Sequence, residues 1–204
     1  MPSTRTLYGI TAFLSALLLF VVEPLAAKQM LPTLGGSSAV WLTCLVFFQV
    51  TLLLGYGYAH WLTGSMHSAG KQRSIQRWLA VAAAVALALS LAFIPDTTNS
   101  ANPVTTIFWT LGRSIGLPFL ILSSTSPLLQ RWLSQIEATP DGEPAPVWYR
   151  LFALSNAGSL IALLAYPTLI EPYIPLRLQK VLWGGAFLAY FALVLVITGK
   201  PSST

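Results

Sequence analysis

Six long apolar runs divide this 204-residue chain, and they leave little choice of fold. Each run is close to the ~20 residues that a helix needs to cross ~30 Å of hydrocarbon. The runs are continuous and rich in Leu and Ala, without the apolar/polar alternation of barrel strands. The sequence therefore predicts an all-α integral membrane protein with about six transmembrane helices. We expect these helices at about 7–28, 39–62, 78–95, 104–128, 148–170 and 178–198.

The composition agrees with a chain that lies in lipid. It is 55% hydrophobic and only 8% charged, whereas soluble domains carry roughly 25% charged residues. The formal charge of +5 does not indicate nucleic acid as a partner, because the basic residues lie between apolar runs. Cys44 is the only cysteine, which excludes a disulfide within the chain and argues against a structural zinc site.

The distribution of Lys and Arg predicts the orientation. With six crossings, the side that holds both termini carries Arg5, Lys71, Arg73, Arg77, Arg131, Arg150 and Lys200. The opposite side carries Lys28, Arg177 and Lys180. Because basic residues concentrate on the cytoplasmic side, we expect both termini in the cytoplasm.

The chain reads as a single membrane domain over residues 1–204. The segment 137–147 is polar and rich in proline, which is typical of a cytoplasmic linker. It separates four helices from two, and no internal repeat is evident. Arg5, the first apolar run and Leu25-Ala26-Ala27 also fit the layout of a signal peptide, but we expect this run to be retained.

A carboxylate and a helix breaker end the first run. Glu23 precedes Pro24, and Lys28 follows five positions after the glutamate. Proline removes a backbone donor and disfavours helix at the residue before it, so we expect a break or kink there and an irregular segment over 31–38. One interpretation is a substrate or ion site on a broken helix. The other is an interfacial Glu23–Lys28 pair that anchors the helix end.

Arg113 lies near the middle of the fourth run, where an unpaired charge is expensive. We expect a carboxylate partner, and Glu23 and Glu171 are the candidates. Such a pair either locks helices together or leaves a guanidinium that binds an anion in a cavity.

Two polar segments within apolar runs favour packing over binding. Ser123 to Ser126 place four hydroxyls where they can bond carbonyls of a broken helix. Asn156 and Gly158 lie in the fifth run, where small residues permit close helix contact and Asn156 can form a hydrogen bond across helices. With Glu23, Lys28, Arg113 and Glu171, Asn156 completes the candidate polar site inside the membrane. We identify no catalytic, cofactor-binding or metal-binding residues.

Several stretches carry a family resemblance. In chain order they are VEPLAAK (22–28), LPTLGGS (31–37), AVW (39–41), FFQ (47–49), LGY (54–56), YAH (58–60), GLPF (116–119), SSTSPLLQ (123–130), YRLFALSNAGSLIALLAYP (149–167) and EP (171–172). Together they resemble the membrane domain of bacterial fused major-facilitator/spermidine-synthase-like proteins. The resemblance implies a bundle like half of a major-facilitator transporter, located in a bacterial inner membrane. Larger relatives carry an aminopropyltransferase-like domain after the helices, and this sequence shows no glycine-rich nucleotide loop for one.

Two classes of function follow as hypotheses. The first is a non-catalytic membrane partner or accessory subunit, which docks or stabilises a larger membrane complex or a separate spermidine-synthase-like enzyme. The basic segment around Lys71, Arg73 and Arg77 favours it. The second is a half-transporter for a small polar or ionic solute, which dimerises around the candidate polar site. We therefore expect lipid, other membrane subunits or a homo-oligomer as partners. A membrane-embedded enzyme is a weaker third option, since no nucleophile–base pair is visible.

Overall fold

The computed structural model describes residues 4–66, 68–92, 102–136 and 147–199, and every element in these ranges is helical. The elements are α1 (Thr4–Leu34), α2 (Ser38–Ser65), α3 (Ala69–Ala92), α4 (Pro103–Leu111), the π-helical turn π1 (Gly112–Gly116), α5 (Leu117–Ile136), α6 (Val147–Ala165), the π-helical turn π2 (Tyr166–Ile170), α7 (Glu171–Tyr173) and α8 (Leu176–Gly199). α4, π1 and α5 form one continuous helix, and so do α6, π2 and α7. The predicted all-α membrane fold is confirmed. The predicted linker lies, except for its last residue, outside the described residues.

Five of the six long helices are long and apolar enough to cross a membrane: Thr4–Leu34, Ser38–Ser65, Pro103–Ile136, Tyr149–Tyr173 and Leu176–Gly199. The sixth, α3, starts about nine residues before the predicted helix at 78–95. Lys71, Arg73 and Arg77 therefore belong to the helix and lower its hydropathy. Lys and Arg are good helix formers, so the charged segment continues the helix instead of forming a loop.

Two predicted interruptions are absent. α1 does not break at Pro24, since it continues through Pro24 and Pro32 to Leu34. Proline is tolerated in membrane helices where neighbouring helices surround it. The irregular segment shrinks to 35–37, where Gly35 adopts a φ of 78° and ends the helix in the left-handed conformation that glycine allows. The fourth helix likewise passes Pro127 and ends at Ile136.

The six helices pack around a central pair. α1 and α5 contact each other, and α3 and α8 pack together over one side of this pair. α2 packs on α1, α4 and α5, whereas α6 packs on α1 and α5. The side opposite α3 and α8 is consequently formed by α1, α2, α4 and α6, whereas π1 contacts α3. We call it the open face.

The packing repeats although the sequence does not. α2 packs on the fourth helix as α6 packs on α1, and α3 packs on α5 as α8 packs on α1. Exchange of the first three helices for the last three therefore preserves the main contacts. Each half of the chain supplies one central helix (α1 or α5), one flanking helix (α2 or α6) and one helix that packs over the central pair (α3 or α8).

Glycine brings α6 against α1 as the small-residue pattern predicted. A Cβ atom built on Gly158 would lie 2.5 Å from the carbonyl oxygen of Phe13. α2 approaches α5 in the same way, because a Cβ on Gly55 would lie 3.1 Å from the carbonyl oxygen of Leu120. These contacts involve backbone, which cannot move aside as a flexible side chain can.

We expect Gly158→Ala to destabilise the protein by about 1–3 kcal/mol, because the added methyl group overpacks the α1–α6 contact. Gly184→Ala in α8 is the matched control, since its Cβ would meet nothing within 4 Å and helix propensity favours alanine by up to about 1 kcal/mol. Thermal unfolding in one detergent measures both variants. Equal unfolding temperatures would contradict the close contact.

Candidate functional site: the open face

A cleft of about 300 Å³ opens on the open face near the end of the bundle opposite the termini. α1, α2, α6, π2 and α7 supply its walls: Phe20, Pro24, Lys28, Leu31, Trp41, Leu163, Tyr166, Pro167 and Glu171. Along α1 the wall extends from Phe20 to Leu31, or about 16 Å at 1.5 Å per residue. The wall is apolar except for one ion pair and the phenol of Tyr166.

That ion pair joins Lys28 to Glu171, with 3.0 Å between Nζ and Oε1. The interfacial Glu23–Lys28 pair considered from the sequence is therefore not what forms. Lys28 bridges α1 to the short α7, which follows the π2 turn. The two side chains are 31% and 46% exposed, so the pair lies at the surface of the bundle.

Arg113 lies in the π1 turn, and its side chain is exposed on the surface of the bundle. Its guanidinium carbon lies 5.6 Å from the centroid of the Trp109 ring, one turn earlier on the same helix. The expected carboxylate partner is not there, since no ion pair joins Arg113 to Glu23 or Glu171, all three being described residues. A cation over an indole is a favourable contact, but it leaves the guanidinium N–H groups without an anionic acceptor.

Glu23 lies inside the continuous α1 and is partly buried. Pro24, the next residue, belongs to the cleft wall, so Glu23 borders the cleft. In the described part of the chain, the recorded ion pair uses Glu171 and leaves the Glu23 carboxylate unpaired.

Asn156 lies on the exposed surface of α6. The hydrogen bond across helices considered from the sequence is not formed, because no described side chain bonds its amide. Asn156 precedes the cleft residue Leu163 by seven positions, and residues i and i+7 share one face of a helix. Asn156 therefore lies on the α6 face that leads to the cleft, about 10 Å further into the bundle.

Sequence reasoning missed Gln49. This side chain is exposed near the middle of α2, the helix that contributes Trp41 to the cleft. Its only sequence signal is a single amide within an apolar run. The structure thus brings Gln49, Arg113 and Asn156 to the exterior of three helices that are apolar enough to cross a membrane. Gln49 and Asn156 lie on the open-face helices α2 and α6, whereas the π1 turn with Arg113 contacts α3.

The opposite side of the bundle has no such residues. From Trp78 to Leu89, every exposed residue of α3 is apolar, and from Val181 to Val196 every exposed residue of α8 is apolar or glycine. Apolar exteriors are what lipid requires. The exteriors of α3 and α8 are therefore suited to hydrocarbon, whereas α2 and α6 each carry an exposed amide and π1 an exposed cation.

The three basic residues Lys71, Arg73 and Arg77 lie within α3 and not in a cytoplasmic loop as the sequence suggested. Lys71 is exposed, but Arg73 is buried, with its guanidinium carbon 5.8 Å from the centroid of the Trp132 ring. Arg77 donates to the Thr198 carbonyl oxygen in α8. Of these three residues, only Lys71 presents its charge at the surface.

No protein-family model, curated protein or solved structure matches this chain. Within the described ranges, no group of three His, Cys, Asp or Glu side chains could hold a metal ion.

Removal of the Lys28–Glu171 pair is expected to cost little stability. In a double-mutant cycle of Lys28→Gln and Glu171→Gln, the coupling free energy should be about 0.2–1 kcal/mol, since exposed pairs gain little over water. Chemical unfolding of the four proteins measures it. The coupling should fall as salt rises; a value well above 2 kcal/mol that ignores salt would show that the pair is shielded from solvent.

Proposed function

We propose that this chain is a non-catalytic membrane subunit that works within a protein assembly. The exposed Arg113 carries the proposal. Insertion scales assign about 2.5–3.5 kcal/mol to a central arginine that faces hydrocarbon. A protein neighbour that supplies an acceptor removes most of this cost, whereas lipid tails supply none.

The two exposed amides support the same conclusion. Gln49 on α2 and Asn156 on α6 both leave donors and acceptors on the open face. Polar side chains hydrogen-bond across helices inside membranes, typically for about 0.6 kcal/mol each. The apolar exteriors of α3 and α8 argue that these exposed polar groups are local and do not reflect a generally polar bundle.

The identity of the partner belongs to the proposal too. The resemblance to fused major-facilitator/spermidine-synthase-like proteins suggests a larger membrane complex or a separate spermidine-synthase-like enzyme. With both termini in the cytoplasm of a bacterial inner membrane, the exposed Lys71, Arg131 and Arg150 lie on the side where such an enzyme would dock.

A half-transporter is the second candidate, and two observations favour it. The first three long helices pack like the last three, which matches the nested repeats of each six-helix half in major-facilitator transporters. The cleft also holds an ion pair beside the open face. On this hypothesis, neutralising Glu23 or Glu171 abolishes solute flux in proteoliposomes while the assembly persists. If the chain is a scaffold, the same variants lose the assembly instead, and the wild type itself shows no solute flux.

We expect Arg113→Gln to release the partner. The wild-type chain, purified from native membranes in mild detergent, should appear by native mass spectrometry in a species larger than the monomer. Arg113→Gln should lower the assembled fraction at least tenfold, because the interface loses its charged donor.

Arg177→Gln is the matched control, since it removes an exposed arginine at the end of α8 and away from the open face. It should assemble like the wild type. A wild-type chain that is monomeric in lipid as well as in detergent would contradict the proposed function.

A further inference from the structure

Two walls of the cleft share one order of side chains. On α1 the deepest wall residue is Phe20, near the middle of the helix, and Lys28 lies eight residues further towards the end opposite the termini. On the continuous helix of α6, π2 and α7 the deepest wall residue is Leu163, and Glu171 also lies eight residues further. At 1.5 Å per residue, each wall therefore runs about 12 Å from an apolar end to a charge.

This order matches that of a lipid in a bilayer. α1 has 31 residues and is about 46 Å long, close to the roughly 40–45 Å of a bilayer with its headgroups. Lys28 lies about 9 Å before the end of α1 at Leu34, near the boundary between the headgroups and about 30 Å of hydrocarbon. Trp41, in the first turn of α2, belongs to the same cleft, and indoles concentrate at this boundary. The charged end of the cleft therefore lies at headgroup depth, and its apolar end lies among acyl chains.

Both partners of the ion pair keep hydrogen-bonding capacity for a ligand. The ammonium group of Lys28 has three donors and gives one to Oε1 of Glu171. Among the described residues, none donates to the second carboxylate oxygen, and the two side chains are 31% and 46% exposed. The phenol of Tyr166 is already used, since it donates to Oε1 of Gln179 at 3.1 Å. The cleft thus offers a cationic donor and an anionic acceptor side by side.

We propose that the cleft binds a phospholipid whose headgroup carries both a phosphate and a primary ammonium group, which is the chemistry of phosphatidylethanolamine. The phosphate accepts from Lys28 and the ammonium group donates to Glu171. One acyl chain lies between α1 and α6 as far as Phe20 and Leu163. Each of the four charges then has neighbours of opposite sign, and the new hydrogen bonds are charge-assisted. An anionic headgroup would satisfy only Lys28, and a cationic one only Glu171.

The volume of the cleft suits one of the two acyl chains. About 300 Å³ is at the lower end of the roughly 300–1,000 Å³ of small-molecule sites. The cleft opens on the exterior of the bundle, so the second chain stays in the surrounding hydrocarbon. The inference goes beyond the proposed function and does not depend on it, because helices of a single chain supply the walls.

Headgroup selectivity tests the polar end. The wild-type chain in mild detergent is titrated with phosphatidylethanolamine, phosphatidylglycerol or phosphatidylcholine of identical acyl chains, and native mass spectrometry gives the dissociation constants. We expect phosphatidylethanolamine to bind about tenfold more tightly than phosphatidylglycerol, which has no ammonium group to donate to Glu171. Phosphatidylcholine should also bind more weakly, since its methylated nitrogen has no N–H. Glu171→Gln should bring the first two lipids to within about threefold of each other, whereas Lys28→Gln should weaken both about fivefold.

A tryptophan in the deep end tests the acyl chain. Leu163 is 53% exposed, and Leu163→Trp should weaken phosphatidylethanolamine binding about fivefold, because the indole takes up volume that the chain needs. Leu188→Trp is the matched control, since Leu188 in α8 is 56% exposed and lies outside the cleft wall. It should bind the lipid like the wild type. Thermal unfolding without added lipid checks that both variants fold.

The outcomes separate the inference from the proposed function. A wild-type chain that binds the three lipids equally, or equal losses from Leu163→Trp and Leu188→Trp, would show contact with bulk lipid only and overturn the inference. A protein in the cleft would also overturn it: a photoreactive maleimide on Leu163→Cys, made with Cys44→Ala, would then label the partner, and the assembly would retain no phosphatidylethanolamine. That result leaves the proposed function standing. Selective lipid binding by a strictly monomeric chain supports the inference and contradicts the proposed function.

Discussion

The close contact of α6 with α1 governs the shape of the functional surface. At Gly158 the two backbones touch, and a Cβ there would lie 2.5 Å from the Phe13 carbonyl oxygen. Further along the same pair, between Phe20 and Leu31 of α1, the helices leave room for a cleft of about 300 Å³. The separation coincides with π2, whose wider turn interrupts the α-helical register. Lys28 and Glu171 then bridge the gap.

The second π-helical segment has a parallel role in the fourth helix. π1 interrupts the register between α4 and α5 and contains Arg113 at the surface. π-helical turns are costly and occur frequently at functional sites. The two turns occupy the fourth and fifth helices, and each carries or precedes a charged residue: Arg113 lies in π1 and Glu171 follows π2. This distribution connects the local irregularity of the two helices to the positions of their charges.

The sequence predicts the positions of the helices far better than it predicts which of their side chains face outward. Runs near 20 residues identify the membrane helices, because their length is set by the bilayer. α1 and α2 are apolar on nearly all sides, so periodicity does not reveal that Gln49 faces outward. Lys28 and Glu171 are 143 residues apart, and local patterns contain no information on such a pair. The break expected at Pro24 does not form. That expectation applied a rule for helices in water, whereas in a packed membrane bundle neighbouring helices can satisfy the freed backbone groups.

The buried amides of the bundle contrast with its exposed polar groups. Where amides are buried, the chain supplies partners: Gln72 accepts from the Trp132 indole at 2.9 Å, and Gln76 accepts from the Tyr58 hydroxyl at 3.1 Å. A fold that satisfies its buried glutamines so closely would leave Arg113 exposed at membrane depth only at a cost. That cost disappears when the acceptor comes from outside the chain. In the proposed assembly, the partner supplies the acceptor that the described part of this chain lacks for Arg113.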